Sequence, residues 1–183
     1  FEVANNPVGR KFDLTMKKVL ERPCDYVMEY CSDNLMESRF VPLLCQQIEL
    51  GVPFWAMNCF YVMNWPTKTV RVFMGSGFSN VGRLTRRYLL DKQYKKLGYA
   101  YNREADRRLD KSYNDLMRIN QKMLPAFTDL KTPIILDLKD TYSMNPYTNF
   151  SRKPERFPVV SLDGNFPELK NLENGIDIRK NSQ

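Results

Sequence analysis

The chain has 183 residues, with 28 lysines and arginines against 21 aspartates and glutamates, a formal charge of +7 and no histidine. Lack of histidine excludes Ser-His-Asp and Cys-His catalysis and His-ligated zinc. An apolar share of 43% with 13% aromatics excludes wholesale disorder. The length suits one domain with a tail, read as a helical body over 1–140 and an extended tail over 141–183.

The chain starts at Phe1, which reads as a processed or excised N-terminus. Residues 1–12 read as an extended arm, and Asp13–Arg22 as a short helix capped by Asp13 and stopped before Pro23. From Cys24 to Phe40, the residues Cys24, Val27, Met28, Cys31, Leu35 and Met36 recur at helical spacing, which predicts a second helix. Pro42 then opens a third that runs through Leu50 and ends at Gly51. Together these make an N-terminal helical unit.

Cys59–Trp65 and Thr69–Met74 are β-rich runs around Pro66-Thr67-Lys68 and fit a small hairpin near 59–74. A helix through Phe54–Asn64 competes, and local pattern does not decide between them. Val52–Trp65 is the most apolar stretch, but Pro53, Asn58 and Asn64 interrupt it. It is short of the about 20 residues a membrane span needs, so no transmembrane span is expected.

Between Arg83 and Lys122 lie twelve basic and five acidic residues, so the whole excess of +7 sits in this stretch. Leu90, Tyr94, Leu97, Tyr101, Ala105, Leu109, Tyr113 and Leu116 recur in it every three or four residues. The pattern predicts a long basic amphipathic helix over 81–124, breakable at Gly98. Two runs, 90–97 and 109–116, share the form L-D-K-x-Y-x-x-L. Pro133–Leu138 reads as a short strand. Beyond it, Pro146, Pro154, Pro158 and Pro167 alternate with Tyr147, Phe150, Phe157 and Phe166. Such a segment makes no core of its own but can lie along a neighbour and insert one ring at a time. The predicted fold class is therefore mainly α.

Cys24, Cys31, Cys45 and Cys59 contain no C-x-x-C pair and read as buried thiols. Bridges between elements and pigment attachment stay open. Gly77 and Gly82 stand at a G-x-x-x-x-G spacing after a strand, and Ile134-Ile135-Leu136-Asp137 has the form of a magnesium-holding strand. This resembles P-loop nucleotide-binding proteins. Arg83 stands where their lysine is needed, however, and Leu84 where the metal-binding hydroxyl belongs. No catalysis, cofactor or metal is expected.

Tyr94-Lys95-Lys96-Leu97-Gly98-Tyr99, followed by Tyr113-Asn114-Asp115-Leu116-Met117-Arg118-Ile119 and Leu124-Pro125, resembles the small helical matrix-side subunit of the cytochrome bc1 complex. The match covers under a quarter of the chain and implies an organellar complex subunit, mitochondrial before plastid.

The basic stretch admits contact with RNA, with Tyr88, Tyr94, Tyr99 and Tyr101 stacking on bases, or docking on an acidic protein, or a solvated face. Interleaved acids and a tyrosine-bearing apolar stripe favour protein docking. The residues expected to dock are Arg83, Arg86, Arg87, Lys92, Lys95, Lys96, Arg103, Arg107 and Arg108, with Phe150, Phe157 and Phe166 on the tail. The chain reads as a non-enzymatic accessory subunit of a large multiprotein assembly. The alternatives are an RNA-contacting ribosomal accessory protein and a basic linker in an acidic light-harvesting antenna.

Overall fold

A computed structural model describes residues 8–31, 33–74, 82–104, 126–128 (backbone only), 133–140, 147–162, 166, 167 and 169. The first half contains α1 (Val8–Leu20), β1 (Tyr26–Glu29), β2 (Asn34–Met36), α2 (Phe40–Glu49), β3 (Phe54–Met57) and β4 (Cys59–Asn64). Then come β5 (Thr69–Met74), β6 (Arg83–Arg86), α3 (Arg87–Leu97), β7 (Ala126–Thr128), β8 (Ile135–Lys139) and the short α4 (Thr148–Ser151). The molecule is mixed α/β, which corrects the expectation of a mainly α fold.

The strands form two sheets, ordered β1-β6-β3-β7 and β2-β8-β4-β5. β3/β7 and β4/β8 are parallel, and the remaining neighbours are antiparallel. Three consecutive pairs, β1–β2, β3–β4 and β7–β8, pass from the first sheet into the second. In β3, Phe54 and Ala56 join a core with Met16, Val27, Leu89, Leu90 and Tyr101 beneath α1 and α3. Trp55 and Met57 face the other way, into a middle core shared with Phe60, Val62, Leu84 and Ile135. Cys59 and Phe60 both join that middle core, so the alternation slips by one residue as the chain leaves the bend at Asn58. Tyr61 and Met63 then face a third core with Val70, Leu136 and Phe166.

Several local expectations change for one reason. Cys24–Phe40 is two strands, because β6 offers its edge to β1 and β8 offers its edge to β2. Tertiary pairing overrides a helix-like spacing that has no fixed partner of its own. The arm over 1–12 is helical from Val8, so Asp13 lies inside α1 and is no cap. The long helix is replaced by β6, then α3, which stops at Gly98 in the left-handed conformation with φ 78°. Its remainder, including the run 109–116 and Arg107 and Arg108, lies outside the described residues. The hairpin, the Pro42–Leu50 helix and the strand near Pro133–Leu138 are present as β4–β5, α2 and β8.

The described part of the tail, residues 147–162 and 166, packs on its own chain. Val159 bridges Arg71 on the outer edge of β5, Val72 N–H donates to the Pro158 carbonyl at 3.1 Å, and Val160 N–H donates to Val70 at 3.1 Å. Phe157 stacks on Phe73 at 5.5 Å, Phe150 meets Phe73 edge-on at 6.3 Å, and Phe166 meets Tyr61 at 6.0 Å. Among the described residues no helix is long and apolar enough to cross a membrane.

Candidate functional site

The basic residues divide into those turned inward and those turned outward. Arg83 is fully buried in β6, opposite Glu29 of β1 in the antiparallel register. Its Nε donates to Glu29 Oε1 at 3.0 Å and its Nη2 to Oε2 at 3.1 Å, a bidentate pair completed by a 2.6 Å bond from Nη2 to the Tyr101 hydroxyl. The Tyr101 hydroxyl also donates to Glu29. Arg87 donates to the Leu20 and Arg22 carbonyls and so closes the C-terminal end of α1. Arg103 holds Asp13 Oδ2 at 2.6 Å and the Gly98 carbonyl at 2.9 Å. These three arginines therefore staple elements together.

Arg86, Lys92, Lys95 and Lys96 are exposed on α3 and at its start. The sequence reading missed their neighbours on α1, where Arg10, Lys11, Lys17 and Lys18 are also exposed. Asp13 joins the two helices: its Oδ1 accepts from the Tyr94 hydroxyl at 2.8 Å and from the Ala100 N–H at 2.7 Å. Burial, with Asp13 beside it, holds the Tyr94 phenol well above its ordinary pKa. Lys17 Nζ lies 5.8 Å from the Tyr94 ring, so the charges of α1 approach those of α3. The result is one outward basic face built by two helices. No charge run marks α1 as part of it; long-range contacts such as Asp13–Tyr94, 81 residues apart, and Arg87 to the Leu20 carbonyl bring it there.

Of the four tyrosines named for base stacking, Tyr88 alone is exposed, with the Arg86 guanidinium 5.7 Å from its ring. Tyr94 and Tyr101 are committed to the interior contacts above, and Tyr99 is half-buried. Phe157 and Phe166 are buried and Phe150 half-buried, all against this chain's own second sheet.

Between α1 and β1 runs an open groove of about 250 Å³. Phe12, Met16 and Val19 form one wall and Val27 and Met28 the other, with Glu29 and Tyr101 also lining it. Burial, with Cys31 and Asp33 nearby, pushes the Tyr30 phenol at one end of this groove up to about 12.

A second buried polar cluster sits on β2 and β8. Lys139 Nζ lies 2.6 Å from Asp137 Oδ1 and 3.1 Å from Asp33 Oδ2, and Asn34 Nδ2 donates to Asp137 Oδ1 at 3.1 Å. Burial raises the Asp137 pKa to about 6, partly opposed by Lys139. Burial pulls Lys139 down, but the two carboxylates together more than offset it, and its pKa is raised. Asp137 thus faces an internal ammonium, unlike the metal-holding aspartate of the P-loop likeness. Gly82 leads into strand β6 and not into a helix, while 75–81 lie outside the described residues. Cys24, Cys31, Cys45 and Cys59 form no disulfide, and of these expected buried thiols Cys59 is buried, Cys24 and Cys31 are half-buried and Cys45 is exposed. No known family model matches this sequence, and no curated protein matches it.

Proposed function

We propose that the chain is a non-enzymatic subunit of a larger assembly that docks on an acidic protein neighbour through the joint basic face of α1 and α3. The observation that carries this reading is the division of the cations. Arg83, Arg87 and Arg103 are committed to contacts that join elements of this chain, while Arg10, Lys17, Arg86, Lys92, Lys95 and Lys96 are exposed on or beside two helices. Surface charge of one sign steers an oppositely charged partner and fixes its orientation. The non-enzymatic reading rests on the sequence, which has no histidine to pair with a nucleophile. An organellar setting is supported by the short Tyr94–Tyr99 and Tyr113–Ile119 likeness alone.

The test is the native mass of the chain in an extract of its own cells, read for wild type and for K92E/K95E/K96E. The reading expects a large complex at low salt that the triple reversal releases, with the far-UV spectrum of the variant unchanged. A wild-type chain running as a monomer would sink it. RNA contact is a second reading, favoured by the exposed Arg86–Tyr88 stack. Release of the chain by ribonuclease would select it.

A further inference from the structure

The groove between α1 and β1 has the shape of a strand receptor. Among the described residues β1 is paired on one side only, with β6, and is the outer strand of its sheet. Val27 through Cys31 line the groove consecutively, so it follows the strand edge and not one face of the sheet. Opposite them stand Lys11, Phe12, Thr15, Met16 and Val19 of α1. Val27–Glu29 belong to β1 and Tyr30 and Cys31 follow it, so the five span at most about 13 Å at the rise of an extended chain. Residues 11 to 19 of the helix span about 12 Å. The outer edge of β1 on one side and a helix wall carrying Phe12, Met16 and Val19 on the other suit an extended segment added as a further strand. The half-exposed Val19 and Met28 would gain cover from its side chains.

Charge selects among such segments. The exposed cations of α1 are Arg10, Lys11, Lys17 and Lys18, of which Lys11 lines the groove itself and Lys18 is paired with Glu21. The one carboxylate in the groove, Glu29, is already matched by the bidentate Arg83 pair. A negatively charged segment therefore meets a basic rim and no uncompensated acid on the floor.

We propose that this groove binds an extended segment of the acidic partner, apolar at alternate positions and flanked by aspartate or glutamate, as an added strand on β1. This rests on the docking reading above and names how the partner is held. The probe is a synthetic peptide, Asp-Asp-Val-Thr-Val-Thr-Val-Asp-Asp, titrated onto the full chain with amide chemical shifts recorded. Two control peptides carry lysines in place of the aspartates or prolines in place of the threonines. Shifts at Val27–Cys31 are expected for the acidic peptide, with affinity at least about tenfold above either control. Thr15→Trp fills the groove from an exposed position and should weaken binding by about tenfold or more. Val19→Glu, at the rim, is the second variant and should weaken it as well.

Equal binding of acidic and lysine-flanked peptides overturns the proposal, as does no shift at peptide concentrations near about 1 mM. So does self-association of the chain that Thr15→Trp abolishes, which would assign the groove to a second copy. Displacement of the peptide by dodecanoic acid with the same residues shifted would assign it to a lipid chain. If Thr15→Trp leaves the chain in its native complex while K92E/K95E/K96E releases it, the groove assignment fails and the docking reading stands.

Discussion

Asp13 is fully buried in the middle of α1 and collects donors from three places: the Tyr94 hydroxyl, the Ala100 N–H and the Arg103 guanidinium. Asp13→Ala strands all three at once, and breaking a buried charged network by removing one partner costs about 3–5 kcal/mol. Urea unfolding should show that loss, whereas Tyr94→Phe, which removes one donor shared between the Asp13 carboxylate and carbonyl, should lose about 1 kcal/mol. Gly82 is fixed by space and by backbone together. It holds φ 68°, and an added Cβ would lie 2.8 Å from both Phe40 and Ile135. Gly82→Ala should destabilise by about 2–4 kcal/mol, read as a lower urea midpoint. Asp137 gives a pH signature. Its folded pKa of about 6 lies above the ordinary carboxylate value, so the folded state binds its proton more tightly than the unfolded chain. The stabilisation is complete below about pH 4 and is lost as pH rises through about 6. Asp137→Asn should flatten the stability profile between those two values, as measured by thermal melts across the range.

At the scale of elements, the tail is a strap on β5. It supplies a carbonyl to Val72 N–H and stacks Phe157 on Phe73, which itself stacks on Phe60 at 4.7 Å. Phe157→Ala should cost about 3–4 kcal/mol locally by leaving a cavity beside Phe73. Hydrogen exchange at the Val72 amide should accelerate in that variant, while exchange at Leu90, in α3 on the far side of the first sheet, stays slow. The same view explains the fate of the three tail phenylalanines. They are the rings of a self-inserting segment, and its receptor is the second sheet of this chain.

At the scale of the molecule, three strand pairs cross between the sheets and the middle core takes residues from both, so neither sheet is complete alone. Trp65→Phe leaves Trp55 as sole tryptophan, buried in the middle core. Its fluorescence should report the same unfolding midpoint as far-UV circular dichroism. The topology also explains what the sequence could convey. Pro42 and Gly51 bracket α2, Pro66-Thr67-Lys68 turns the β4–β5 hairpin, and the apolar run at 134–138 becomes β8, because each signal is complete within a dozen residues. Cys24–Phe40 was illegible because its strand partners lie 54 and 103 residues away, as the Glu29–Arg83 and Asn34–Asp137 contacts record. The charge run over 83–122 was visible, but which of its arginines face inward depends on Asp13 and Glu29, and no local pattern encodes that.

The strap on β5 has a further consequence for biosynthesis. Ribosomes add about 5–20 residues each second, and domains begin to fold as they emerge. The β4–β5 hairpin therefore appears well before Pro158, Val159 and Val160 exist to cover its edge. During that interval the nascent chain carries a bare strand edge beside the Phe60–Phe73 stack, which is a template for wrong pairing. The segment that closes this edge follows β5 in the chain, so the hazard lasts until Pro158, Val159 and Val160 have emerged.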